Sequence, residues 1–127
     1  MATVHREPNQ VKWIGVRPGH NGEQVLINID FNANQSLYTV GAGKLLLIFS
    51  WQVTMAANTA GLASLELRTA VPAVYYCLAY LRGALAHSGP SVSNTLWVPI
   101  EVPATYEIYL TTNQQIEGGV HGILIAV

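Results

Sequence analysis

Charge is scarce in this chain. Asp, Glu, Lys and Arg make up 10% of 127 residues, against about 25% in ordinary globular domains. With a net charge of −1, no electrostatic surface for nucleic acid or anionic lipid is expected. Cysteine is reduced to Cys77, which excludes an intrachain disulfide. Within "VYYCLAYL" its plain reading is a buried small hydrophobe rather than a reactive thiol. No apolar run approaches the roughly 18 residues of a membrane span. "MATVHREPNQ" lacks the apolar core of a secretory signal. The expectation is a chain made and folded in a cytoplasm without a membrane anchor.

Half of the residues are hydrophobic. Polar cover must come mostly from the 29 Asn, Gln, Ser and Thr residues. A chain of this length suits one domain and buries roughly two-thirds of its unfolded surface. It needs neither disulfide nor metal to fold. A small protein with so little charge tends to associate. Association is therefore expected to be part of its design.

Period-two alternation dominates. "QVLINIDFN" sets Val25, Ile27, Ile29 and Phe31 against Asn28, Asp30 and Asn32, the pattern of a half-buried strand. "KLLLIFSWQVTM" puts Leu45, Leu47, Phe49, Trp51, Val53 and Met55 on one face. Its other face begins apolar with Leu46 and Ile48, so one end should be covered on both sides. "GLASLELRT" sends Ala63, Leu65 and Leu67 inward. "VKWIGVR", "SNTLWVPI", "TYEIYLTTN" and "GGVHGILIAV" read as further strands. Residues 72–86 fit either strand or helix. Pro72 suits a first helical turn, whereas Val74, Tyr75, Tyr76 and the interrupting Gly83 favour strand. Strand is preferred. Residues 86–94, "AHSGPSVSN", form the clearest loop, with Gly89 and Pro90 at its centre. The expected fold is an all-β jelly-roll β-sandwich of eight or nine antiparallel strands over residues 11–127. Residues 1–10 form an extended N-terminal arm.

Two corners echo each other. Val40-Gly41-Ala42-Gly43 and Val102-Pro103-Ala104-Thr105 each precede a strand. Each keeps half of an idealised Val-Pro-Ala-Gly type I turn, with Pro second and Gly fourth. Corresponding corners suggest two similar halves, as in a jelly roll of two Greek keys.

Catalytic signals are weak. His5, His20, His87 and His121 form no pair at metal-ligand spacing. Glu101 and Glu107 flank the second corner, and Glu66 and Asp30 fall on predicted outer faces. Solvated strand surface explains them better than paired acid and base. "VGAGKLL" lacks the spacing of a phosphate-binding loop. No cofactor or metal is expected, and the chain reads as a non-enzyme. The tryptophans and the crowded Tyr75, Tyr76 and Tyr80 suit core or subunit-interface packing better than a sugar platform.

"YTVGAGKLLLI", "WVPIEVPATYEIYL" and the terminal "GVHGILIAV" together resemble the small jelly-roll domains of tailed-bacteriophage virions, which are similar to tumour-necrosis-factor and C1q-like folds. The similarity spans residues 24–127 in strand order and corner motifs. Gly41 departs from the usual proline and Thr105 from the usual glycine. The resemblance implies a capsid decoration protein, bound to the major capsid protein on the virion surface, or a head or tail appendage; low charge and strands apolar on both faces make a homotrimer the expected assembly. Under that reading Val4, His5, Arg6 and Glu7 face the capsid. Tyr75, Tyr76, Tyr80, His121, Ile123 and Ile125 are the expected subunit interface. A receptor- or glycan-binding module using residues 86–94 is the alternative, and a cupin-like enzyme ranks last.

Overall fold

The computed structural model describes residues 22–55, 61–69, 73–83 and 90–127. Val4, His5, Arg6 and Glu7, the strand expected at "VKWIGVR" and part of the expected loop at 86–94 lie outside those residues. Eight strands follow one another: β1 (Glu23–Phe31), β2 (Gln35–Thr39), β3 (Lys44–Met55), β4 (Gly61–Arg68), β5 (Val74–Gly83), β6 (Ser91–Val102), β7 (Glu107–Thr112) and β8 (Ile116–Ala126). Residues 74–83 are strand, as preferred.

The strands form two four-stranded antiparallel sheets, ordered β1-β8-β3-β6 and β2-β7-β4-β5. β1 pairs with β8, β2 with β7, β3 with β6 and β4 with β5. This nesting describes one long antiparallel ribbon, running out through β4 and back from β5, wrapped over itself. It is the winding of a jelly roll.

Each sheet turns one face inward. Ile29, Leu46, Val53, Leu65, Ile108 and Ile116 are among the buried residues that fill the space between the sheets. Their strands alternate because only one face of each meets the opposite sheet.

β3 departs from strict alternation. Its pairing shifts between Ile48 and Ser50. Leu46 and Ile48 point into the main core before the shift, and Trp51, Val53 and Met55 point into it after. Leu47 instead joins Ile123 and Ile125 in a second buried cluster, with Leu45 and Phe49 packed against it. The expected single face from Leu45 to Met55 is therefore two faces joined at a bulge. The extra residue changes which side faces inward. The expectation that this end is covered on both sides holds, since Leu46, Leu47 and Ile48 are all fully buried.

The two corners stand back to back. The Thr105 N–H donates to the Val40 carbonyl at 2.8 Å, and the Val40 N–H donates to the Tyr106 carbonyl at 2.9 Å. One corner carries the chain from β2 to β3, the other from β6 to β7, so the ribbon's two strands cross between sheets together. The turns begin one residue later than expected. Lys44 N–H donates to Gly41 carbonyl and Tyr106 N–H to Pro103 carbonyl, each at 3.2 Å. Gly43 and Thr105 hold the third position at φ of 72° and 71°. A positive φ there belongs to a type II turn, which corrects the type I reading.

Candidate functional site

Among the described residues β5 and β6 are the edge strands of their two sheets, and they lie next to each other along one side of the sandwich. Three large aromatic side chains are exposed there. Trp97 of β6 is 89% exposed, and Tyr76 and Tyr80 of β5 are 49% and 59% exposed. Tyr75 also lies on β5.

Local sequence explains Trp97. Thr95 pairs with Ser50 and Ile100 with Ile48, so Leu96 to Pro99 on β6 face only Phe49 on β3. Pro99 has no N–H to give a ladder, and a proline inside a strand marks an edge or a bulge. The chain swells there, and Trp97 is lifted clear of the sheet. Trp97 is absent from the expected interface set. Pro99, two positions after it in "WVPI", is the signal that could have found it.

β5 has its own irregularities. The pairing of β4 with β5 shifts between Leu65 and Glu66 and again between Leu67 and Arg68. Leu78 and Ala79 are consequently both buried. Cys77 is exposed rather than buried, which corrects the reading drawn from its apolar neighbours. Its Sγ donates to the Ala79 carbonyl at 3.3 Å. Partial burial of the thiol pushes its pKa up, a backbone hydrogen bond from Ala79 to the sulfur works against that, and the Glu66 carboxylate adds to the rise. A thiol held in its protonated form is a poor nucleophile.

The remaining expected interface residues do not join these tyrosines. His121 pairs with Leu26 and Ser50 on the outer face of the other sheet. Ile123 and Ile125 are buried within the single chain against Leu47. Their low exposure leaves little apolar surface on these two side chains. Alternation indicates that both faces of β8 are covered, but not that the same chain covers them.

The outer face of the second sheet carries a closed polar network. Glu66 accepts from Arg68 Nη2 at 2.9 Å and Nε at 3.1 Å, from Thr111 Oγ1 at 2.9 Å and from Ser64 Oγ at 2.8 Å. Arg68 also lies 3.7 Å from the centre of the Tyr109 ring. Burial pushes the Glu66 carboxyl up, but the bonds from Ser64, Thr111 and Arg68, with the Arg68 charge, outweigh it and lower its pKa. Both carboxylate oxygens are engaged, so the group serves as a polar cover for the sheet. Ser36 binds Glu107 in the same way at 2.7 Å. Among the described residues no group of three or more His, Cys, Asp or Glu side chains is placed to hold a metal ion. Compared with known proteins, the chain matches no family model and no curated sequence.

Proposed function

We propose that the chain is a structural jelly-roll subunit that assembles with copies of itself through the β5–β6 side, as a homotrimer. The observation that carries this reading is the exposure of Trp97, Tyr76 and Tyr80 on two adjacent edge strands. Unpaired sheet edges bearing large exposed rings are a liability on a monomer. Trp and Tyr are also the residues that anchor subunit contacts. A closed ring repeats one heterologous contact. The β5–β6 side of one copy would meet a different surface of the next, and the β1–β2 side offers the other pair of edges.

The jelly-roll winding supports the resemblance to virion proteins of tailed bacteriophages. On that basis the assembled ring is a capsid decoration protein. It would stabilise a shell by binding its assembled form in preference to free subunits. Residues 1–10 would supply the capsid-facing arm.

Sedimentation tests the assembly. The parent chain should run as a trimer at micromolar concentration, and Trp97→Ser with Tyr80→Ser should run as a folded monomer. A parent chain that sediments as a monomer, or a variant that remains trimeric, would overturn the assembly reading. Deleting residues 1–10 should abolish capsid binding and leave sedimentation unchanged. Full-affinity binding by the truncated chain would overturn the capsid assignment.

A further inference from the structure

The outer face of the first sheet contains a groove that the assembly reading does not use. Register lays its residues out in two rows across all four strands. One row is Leu26, His121, Ser50 and Thr95, and the next is Asn28, Gly119, Gln52 and Ser93. Gly119 leaves a gap between Asn28 and Gln52. The resulting open groove measures about 460 Å³, within the usual range for small-molecule sites.

The groove's chemistry is selective. Among the described residues no Lys, Arg, Asp or Glu side chain lines it. Its polar groups include the amides of Asn28 and Gln52, the hydroxyls of Ser50, Ser93 and Thr95, and the His121 ring. Amides and hydroxyls each offer donors and acceptors together. A ligand rich in hydroxyls satisfies both, whereas an ion finds no counter-charge. Leu26, 71% exposed at the rim, offers apolar contact to the C–H face of a sugar ring.

His121 faces outward beside Ser50 and lines the groove, while the Trp51 side chain turns into the core beneath it.

We propose that this groove binds a neutral saccharide. The inference does not depend on the assembly reading, and the two fail in different experiments. Amide chemical shifts of the full-length chain would be followed during titration with maltotriose, lactose and N,N′-diacetylchitobiose, and with glucuronate as the charged counterpart. At millimolar concentration at least one neutral sugar should shift the amides of Asn28, Gln52 and Ser93, and glucuronate should not. Asn28→Ala with Gln52→Ala should weaken binding by about tenfold. Both residues are exposed, and the same spectra report whether the variant is folded. Ser93→Tyr, which places a ring over the groove, should abolish the shifts. No response to any neutral sugar would overturn the proposal. So would an equal response to glucuronate, or binding that both variants leave intact.

Discussion

Thr105 should be a poor choice for its position, and replacing it with glycine should stabilise the protein. Its φ of 71° nearly equals the 72° of Gly43 in the companion corner. The left-handed region costs a residue with a Cβ about 1–2 kcal/mol, and a β-branched residue is unusual there. Glycine removes that cost but returns about 0.4–1 kcal/mol of freedom to the unfolded chain. Thr105 is exposed, so little packing is lost, and its N–H keeps the bond to Val40. The net gain for Thr105→Gly is about 0.5–1 kcal/mol. That raises Tm by about 2–5 °C in a domain of this size. Urea denaturation at fixed protein concentration measures it, with an unchanged m-value showing that only stability has moved. The mirror variant Gly43→Thr should lose about 0.5–1 kcal/mol by the same terms. Space is not the obstacle there, since a Cβ on Gly43 meets nothing within 4 Å. A neutral or destabilised Thr105→Gly, or an unharmed Gly43→Thr, would refute the reasoning.

Glu66→Gln should destabilise the fold at neutral pH by about 1–2 kcal/mol, because Arg68 loses its charged partner. The Glu66 pKa is lowered in the folded state, so its contribution is present above the unfolded value and lost as pH falls through the folded one. Urea denaturation between neutral and acid pH should therefore show a shallower acid loss in the variant; an identical acid limb would contradict this. Gly118→Ala should cost about 3 kcal/mol or more, or prevent folding. Gly118 has φ of 150°, and a Cβ there would lie 1.9 Å from the Gln52 carbonyl oxygen. Gly41→Ala is the matched control, as its Cβ would approach only Lys44 Cγ at 4.0 Å. Equal melting temperatures for the two variants would count against the steric argument.

Much of this architecture is legible in alternation. β1 and β4 follow a strict two-residue period, and their buried residues are the expected ones. The strand at 74–83 is legible from its β-branched and aromatic residues. Legibility fails at the bulges. An inserted residue reverses the inward face without changing composition, as Phe49 does in β3 and Leu78 in β5. The consecutive apolar residues "LLLI" are the only trace of the first. Cys77 is misplaced for the same reason. The corners are recognisable, but their turn type depends on a backbone angle, and Thr105 conceals the positive φ that a glycine would have advertised. The groove is invisible for a different reason. Asn28, Gln52, Ser93 and His121 come from four separate strands, and only register brings them together.

The nesting of the ribbon also sets an order of events during synthesis. β3, which carries the apolar run Leu45–Phe49, lies between β6 and β8. Neither neighbour exists until residues 91–126 have been translated, and until then its backbone has no native ladder partner. Such distant pairings make folding slow, in milliseconds to seconds rather than microseconds. The nascent chain is open to wrong association throughout that interval. Stopped-flow refolding at high dilution measures the delay, and completion within microseconds would contradict it. The low charge of the chain is thus a hazard while the chain is still incomplete.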